Sequence, residues 1–157
     1  VLEQQRYLLR NLPEKDRQER IALQKKILEA AKTDRGWEEI ERLLPPEARA
    51  QLAVARSPWF REFIRLQPLT LLERLQCPIL ILQGGKDTQV FPHHAEIFAR
   101  ALAALKKIPY EVRIFPSLNH LFHPAETGDL SEYGRVSRQV DREFLDVLTT
   151  WLRERLK

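Results

Sequence analysis

The sequence predicts an α/β chain in two parts: an all-helical segment over residues 1–67, then a strand, a helix and a second strand within 68–157. Three observations carry this reading. The first 67 residues hold apolar side chains at helical spacing and show no strand pattern. Ile79-Leu80-Ile81-Leu82 is an unbroken aliphatic run closed by Gly84-Gly85, which suits a strand covered on both faces and followed by a turn. Tyr110 to Phe115 alternates apolar with charged residues, the pattern of a second and less buried strand. A helical stripe between the two strands implies a parallel, right-handed crossover.

The elements follow in order. Gln4 to Leu12 is a short amphipathic segment, and Pro13 with Glu14 and Asp16 marks a fresh helix start. That helix runs to about Lys32, with Leu23, Ile27 and Ala30 or Ala31 on one face. Asp34 is the expected N-cap of a third helix carrying Trp37, Ile40, Leu43 and Leu44, which Pro45-Pro46 stops. A fourth segment displays Ala48, Leu52 and Ala55. Ser57-Pro58 supplies a cap and first-turn proline for a helix showing Trp59, Phe60, Phe63 and Ile64. This aromatic cluster reads as core, or else as a lid over an active site. Leu69 to Leu75 forms a short helical turn before the first strand. Pro92-His93-His94 opens the crossover helix, with Phe98, Ala101, Leu102 and Leu105 as its stripe and Lys106-Lys107 in its last turn. From about Ser137 a final helix carries Val140, Phe144, Leu148, Trp151 and Leu152 on one side.

Composition narrows the function classes. With 157 residues, 43% hydrophobic and 31% charged, the chain has the material for a sizeable core. The 26 basic and 22 acidic residues are dispersed, and no basic run interleaved with aromatics suggests a nucleic-acid partner. No stretch approaches the ~18 consecutive apolar residues of a membrane span, so a soluble chain without a membrane partner is expected. The single cysteine, Cys77, forms no internal disulfide and points to a cytoplasmic setting. It precedes a proline at a strand entrance, where a structural role is expected. The absence of methionine and the helical pattern starting at Val1 hint at a piece of something longer, although removal of an initiator methionine before valine gives the same start.

The chemistry centres on Asp87 and His120. Asp87 falls at the carboxyl end of the first strand and His120 at that of the second, with one crossover helix between them. In open α/β sheets that edge is where ligands bind, and a carboxylate that accepts a hydrogen bond from imidazole fixes its tautomer and stabilises the imidazolium. The plain alternatives are a turn-forming aspartate and a loop histidine bonded to backbone. His93 and His94 read as solvated, and His120 with His123 lacks the three or four converging ligands of a zinc site. No metal and no cofactor is expected.

At these residues the sequence resembles the α/β-hydrolase superfamily. Pro78-Ile-Leu-Ile-Leu-Gln-Gly-Gly-Lys-Asp87-Thr-Gln-Val90 looks like its penultimate core strand and acid loop. Phe115-Pro-Ser-Leu-Asn-His120-Leu-Phe looks like its last strand and histidine loop. Ser57-Pro-Trp-Phe-Arg-Glu-Phe63, followed by Pro68, is similar to the preceding segment of the prolyl-oligopeptidase and dienelactone-hydrolase branches. The resemblance covers residues 57–157 well and the first helices loosely. It implies the C-terminal part of an α/β-hydrolase core over 68–157, two parallel strands with flanking helices, preceded by a lid-like helical segment over 1–67. It further implies Asp87 as triad acid and His120 as general base of a serine hydrolase acting on a small ester or peptide.

The family's Gly-x-Ser-x-Gly elbow is missing, because none of Ser57, Ser117, Ser131 and Ser137 is flanked by glycines after a strand. The expectation is therefore a parent enzyme whose nucleophile lies outside this chain, with the chain alone inactive. Two strands with open edges call for the N-terminal half of the fold as partner, or for self-association. The alternative from another class is a non-catalytic binding or interaction module that uses the aromatic helix and the sheet edge.

Overall fold

The computed structural model describes residues 1–50, 52–135 and 139–156. By its internal contacts the chain divides into two units, Val1–Gln67 and Pro68–Lys157.

The first unit contains α1 (Leu2–Leu8), α2 (Glu14–Thr33), α3 (Trp37–Leu43), α4 (Pro46–Arg49), α5 (Leu52–Ala55) and α6 (Pro58–Arg65). Pro13 stands as the N-cap of α2, and Glu14 and Asp16 place negative charge in its first turn, where the helix dipole favours it. Asp34 does not cap α3 as its residue type suggested. It takes the left-handed conformation (φ 62°) that ends α2, which aspartate tolerates better than most residues. Gly36 (φ 83°) caps α3 instead. The freed carboxylate accepts the Trp37 indole N–H at 3.1 Å and pairs with Arg61 at 2.8 Å. Leu44, extended before Pro45, stops α3. The fourth segment is split into α4 and α5, with position 51 outside the described residues.

Ser57 caps α6, its hydroxyl oxygen accepting the Phe60 N–H at 3.1 Å. The core of this unit gathers Ala30, Ile40 and Leu52, with Leu23, Ile27, Trp37 and Leu44 packed against them. The aromatic cluster of α6 is not part of that core. Trp59 and Phe63 are exposed at 66% and 52%, stacked on each other with centroids 5.5 Å apart.

The second unit begins with α7 (Pro68–Leu71) and a 3-10 turn at Leu72–Arg74, then β1 (Ile79–Gly84), α8 (His93–Leu105), β2 (Tyr110–Phe115), a second 3-10 turn at Leu130–Glu132 and α9 (Arg142–Arg155). The strands pair in parallel, from Ile79 opposite Tyr110 to Gly84 opposite Phe115. Leu72, Ala95, Leu102, Phe115 and Leu118 are buried. An aromatic trio closes the far side, with Phe122 stacked on Phe144 at 4.0 Å and Phe115 edge-on to both.

Three expectations need correction here. The aliphatic residues Ile79 to Leu82 are half-buried, not covered on both faces, because the sheet of described residues has two strands. Lys106 lies past the last turn of α8, in the left-handed conformation (φ 49°) that caps it. The start expected for the last helix at Ser137 falls outside the described residues, and described helix begins at Arg142, where the Asp141 carboxylate accepts the Phe144 N–H at 3.1 Å. Val140 precedes that helix and is exposed. Among the described residues no helix is long and apolar enough to cross a membrane.

Candidate active site

Because β1 and β2 end in register at Gly84 and Phe115, the loops that follow them leave one sheet edge side by side. Backbone bonds knit them together: the Gly85 N–H donates to the Phe115 carbonyl at 2.7 Å and the Lys86 N–H to the Leu118 carbonyl at 2.9 Å. The two glycines make that approach possible. A Cβ on Gly84 would stand 2.5 Å from the carbonyl oxygens of Leu118 and Asn119, and one on Gly85 would stand 2.7 Å from the Pro116 Cα. Neither glycine has a positive φ; they open the turn the sequence suggested, which the Asp87 N–H closes on the Gly84 carbonyl at 3.2 Å, and they permit the close packing of the two loops.

Asp87 sits three residues past the strand and is buried, 6% exposed. Its Oδ1 accepts the backbone N–H groups of Gln89 and Val90, both at 2.8 Å. Its Oδ2 accepts the Gln83 side-chain amide at 3.3 Å and faces His120 Nδ1 at 2.9 Å. A carboxylate has no hydrogen to give, so Nδ1 carries the proton in this contact, and in the neutral form of the ring Nε2 is then the lone-pair acceptor. No described residue hydrogen-bonds Nε2, and the His120 side chain is partly open to solvent, at 38%.

The β2 loop is shaped around Asn119, which is fully buried. Its side-chain oxygen accepts the N–H groups of Leu121 (2.9 Å) and His123 (3.1 Å), while its backbone N–H donates to the His123 carbonyl at 3.0 Å. His120 is thus held within a closed turn. Phe122 completes it with a positive φ of 55°, an unfavourable conformation for a bulky side chain. It is compensated by stacking on Phe144 and by the Asp141 N–H donated to the Phe122 carbonyl at 2.9 Å.

A strap formed by residues 125–133 binds the β1 loop on either side of Asp87. Lys86 Nζ donates to the Ala125 carbonyl at 2.8 Å, the Thr88 hydroxyl to the Gly128 carbonyl at 2.9 Å, and the Gln89 amide to the Tyr133 hydroxyl at 3.0 Å. Glu132 knots the strap internally, accepting the Thr127 N–H and hydroxyl at 2.7 Å each and the Gly128 N–H at 2.9 Å. The Thr127 hydroxyl is the main reason the Glu132 carboxyl lies below its usual value; desolvation opposes it, and the Gly128 and Thr127 backbone amides and the Lys86 charge lower it further.

The structure therefore brings Asp87 and His120 together. Among the described residues, no serine or cysteine hydrogen-bonds either of them. Ser57 is engaged in its cap, Ser131 lies in a 3-10 turn, Ser117 lies in the turn after β2, and Ser137 is outside the described residues. Cys77 is exposed ahead of β1. His94 is half-buried, not solvated as expected, and its ring lies 4.3 Å from that of His93. Sequence reasoning passed over Gln83 and Asn119. The signal for Gln83 was a lone polar side chain closing an aliphatic strand. For Asn119 it was only adjacency to His120.

Parallel strands joined by a helix, with the polar loops leaving one edge, define a member of the α/β class. Residues 50–153, well over half of the chain, match the prolyl oligopeptidase family. The chain belongs to that family, which bears out the resemblance to the α/β-hydrolase superfamily. A curated relative, the esterase EstD of Thermotoga maritima, is 26% identical over 98 residues, covering 62% of this chain and 23% of the esterase. The chain thus spans about a quarter of the length of that relative. No solved structure matches the chain.

Proposed function

We propose that the chain is the acid- and base-bearing part of a serine hydrolase that transfers an acyl group to water. The observation that carries this reading is the 2.9 Å hydrogen bond from His120 Nδ1 to the buried Asp87 carboxylate, made between loops on one edge of a parallel sheet. A serine supplied by chain outside these residues attacks the carbonyl of an ester or peptide. His120 Nε2 takes the hydroxyl proton as the C–O bond forms, and Asp87 stabilises the imidazolium. The tetrahedral intermediate collapses, and the leaving group departs with that proton. Water then repeats the sequence and releases the acid. The family's name and the esterase relative both agree with acyl hydrolysis.

The N-terminal half of the fold joins at the free edge of β1. The Ile79 and Gly85 N–H groups point toward β2, donating to Pro109 and Phe115. Strand alternation therefore turns the Leu80 and Leu82 amides outward, ready for another strand. Self-association through the same edge is the outcome when that half is absent, and residues 1–67 serve as a lid. The single exposed cysteine supports a cytoplasmic placement.

Labelling with a fluorophosphonate, which reacts with activated serines, tests this reading. The 157-residue chain alone should remain unlabelled, whereas the chain expressed with its preceding coding region should be labelled in a manner abolished by His120→Ala. Labelling of the long form that survives His120→Ala overturns the assignment.

The exposed Trp59 and Phe63 favour a second reading, an interaction module without chemistry. Under that reading no hydrolysis accompanies the long form, and replacing both aromatics abolishes partner binding.

A further inference from the structure

Gln83 is a buried polar side chain at the end of an otherwise aliphatic strand, and the proposed reaction as described gives it no role. It is 7% exposed and pairs with Ile114 across the sheet. Its amide nitrogen lies 2.9 Å from the Val90 carbonyl, 3.0 Å from the Gly84 carbonyl and 3.3 Å from Asp87 Oδ2. All three neighbours are acceptors, which fixes the amide with its nitrogen toward them. The oxygen it reaches on Asp87 is the one that receives His120 Nδ1. The other carboxylate oxygen is held by the Gln89 and Val90 amides. Gln83 therefore touches both ends of the segment 87–90 from the rigid strand: the carboxylate at one end and the Val90 carbonyl at the other.

We infer that Gln83 is a positioning residue, locking the Asp87 carboxylate in the rotamer that holds His120 in its Nδ1–H tautomer. The inference rests on the triad reading above. Without Gln83, Oδ2 keeps His120 as its one donor among the described residues, the Val90 carbonyl loses its side-chain donor, and the carboxylate gains freedom to rotate away from the imidazole. Asn119 acts on the other partner, closing the loop that carries His120. Gln83 is distinct in acting on the acid from beneath, through a strand that the rest of the sheet would hold in place.

The test is nitrogen-15 NMR of the His120 ring in the 157-residue chain, read in wild type, Asp87→Asn, Gln83→Leu and Gln83→His. In wild type His120 should be an Nδ1–H tautomer with a slowly exchanging proton, and Asp87→Asn should abolish that state. Gln83→Leu, which keeps the bulk and removes the donor, should speed exchange of the Nδ1 proton about tenfold, the scale of one hydrogen bond to a charged group. Gln83→His, which retains an N–H of similar reach, should restore slow exchange. In the long form of the enzyme, kcat should fall by up to about a hundredfold in Gln83→Leu with KM little changed.

Slow exchange in Gln83→Leu at the wild-type rate, with Asp87→Asn still disruptive, overturns the role of Gln83 and leaves the acid–base pair standing. Absence of the Nδ1–H state in wild type overturns both. If Gln83→Leu fails to fold by circular dichroism, Gln83→His decides: slow exchange supports the role and fast exchange overturns it.

Discussion

Gly84 and Asn119 are packed backbone against backbone, so that a Cβ on Gly84 would lie 2.5 Å from the Asn119 carbonyl oxygen. The β1 and β2 loops can share hydrogen bonds only while position 84 has no side chain. Gly84→Ala should destabilise the second unit by about 1–3 kcal/mol, the usual cost of overpacking, because backbone and not a flexible side-chain end must move. Gly134, with nothing within 4 Å of its Cβ position, is the control, and its alanine variant should stay within about 0.5 kcal/mol of wild type. Urea unfolding followed by circular dichroism measures both.

The Asp87–His120 bond makes a kinetic prediction. In the long form, Asp87→Asn should lower kcat by about four orders of magnitude, since an amide in that position favours the wrong imidazole tautomer. Turnover of a p-nitrophenyl ester is the measurement, and a change of only a few-fold would remove Asp87 from the reaction.

Ser57 has a structural duty that can be separated from chemistry. Its hydroxyl accepts the Phe60 N–H and donates to the Val54 carbonyl at 2.7 Å. Ser57→Ala should therefore cost about 1 kcal/mol as a lost helix cap and leave esterase turnover of the long form at the wild-type level. A collapse of turnover with stability retained would make Ser57 the nucleophile.

The strap around the β1 loop carries an acid-sensitive knot. Hydrogen bonds led by the Thr127 hydroxyl hold the Glu132 carboxyl below its ordinary value of 4.5. A depressed carboxylate contributes stability that is present above the unfolded value and lost as pH falls through the folded one. Exchange of the Thr127 and Gly128 amides should thus accelerate as pH drops below that ordinary value of 4.5, after correction for the intrinsic rate. Glu132→Gln should abolish that transition and show fast exchange already at neutral pH.

Local signals in the sequence were reliable where one residue type satisfies one local need. Ser57-Pro58 is a cap and first-turn proline in the structure as in the sequence, and the aliphatic run and alternating segment are parallel strands. Asp34 shows where local signals compete. Aspartate suits an N-cap, yet Gly36 two residues later is better able to adopt the left-handed turn before α3, and Arg61 on α6 draws the carboxylate away. That competition depends on a residue 27 positions distant, outside any local window.

Burial was the harder quantity to read. Ile79 to Leu82 are apolar enough for a fully covered strand, but cover depends on neighbouring strands, and half-burial is what two strands can supply. Asp87 and His120 were legible as a pair because strand ends fix loop positions. Gln83, Asn119 and the strap were not, since most of their partners are backbone atoms and backbone atoms leave no trace in residue type. The exposed stack of Trp59 and Phe63 misled for a related reason: aromatic spacing on a helix does not say which surface will meet it.

The strap ties link residues 39, 40 and 44 positions apart, and Asp87 and His120 are 33 apart. All of them close within residues 86–133, in loops short enough to have modest closure entropy. An engineer seeking a split enzyme would therefore cut at the boundary after Gln67. The downstream piece would carry its acid–base pair already assembled, and recovery of activity on mixing with the upstream piece would report docking alone, free of any need to rebuild the pair.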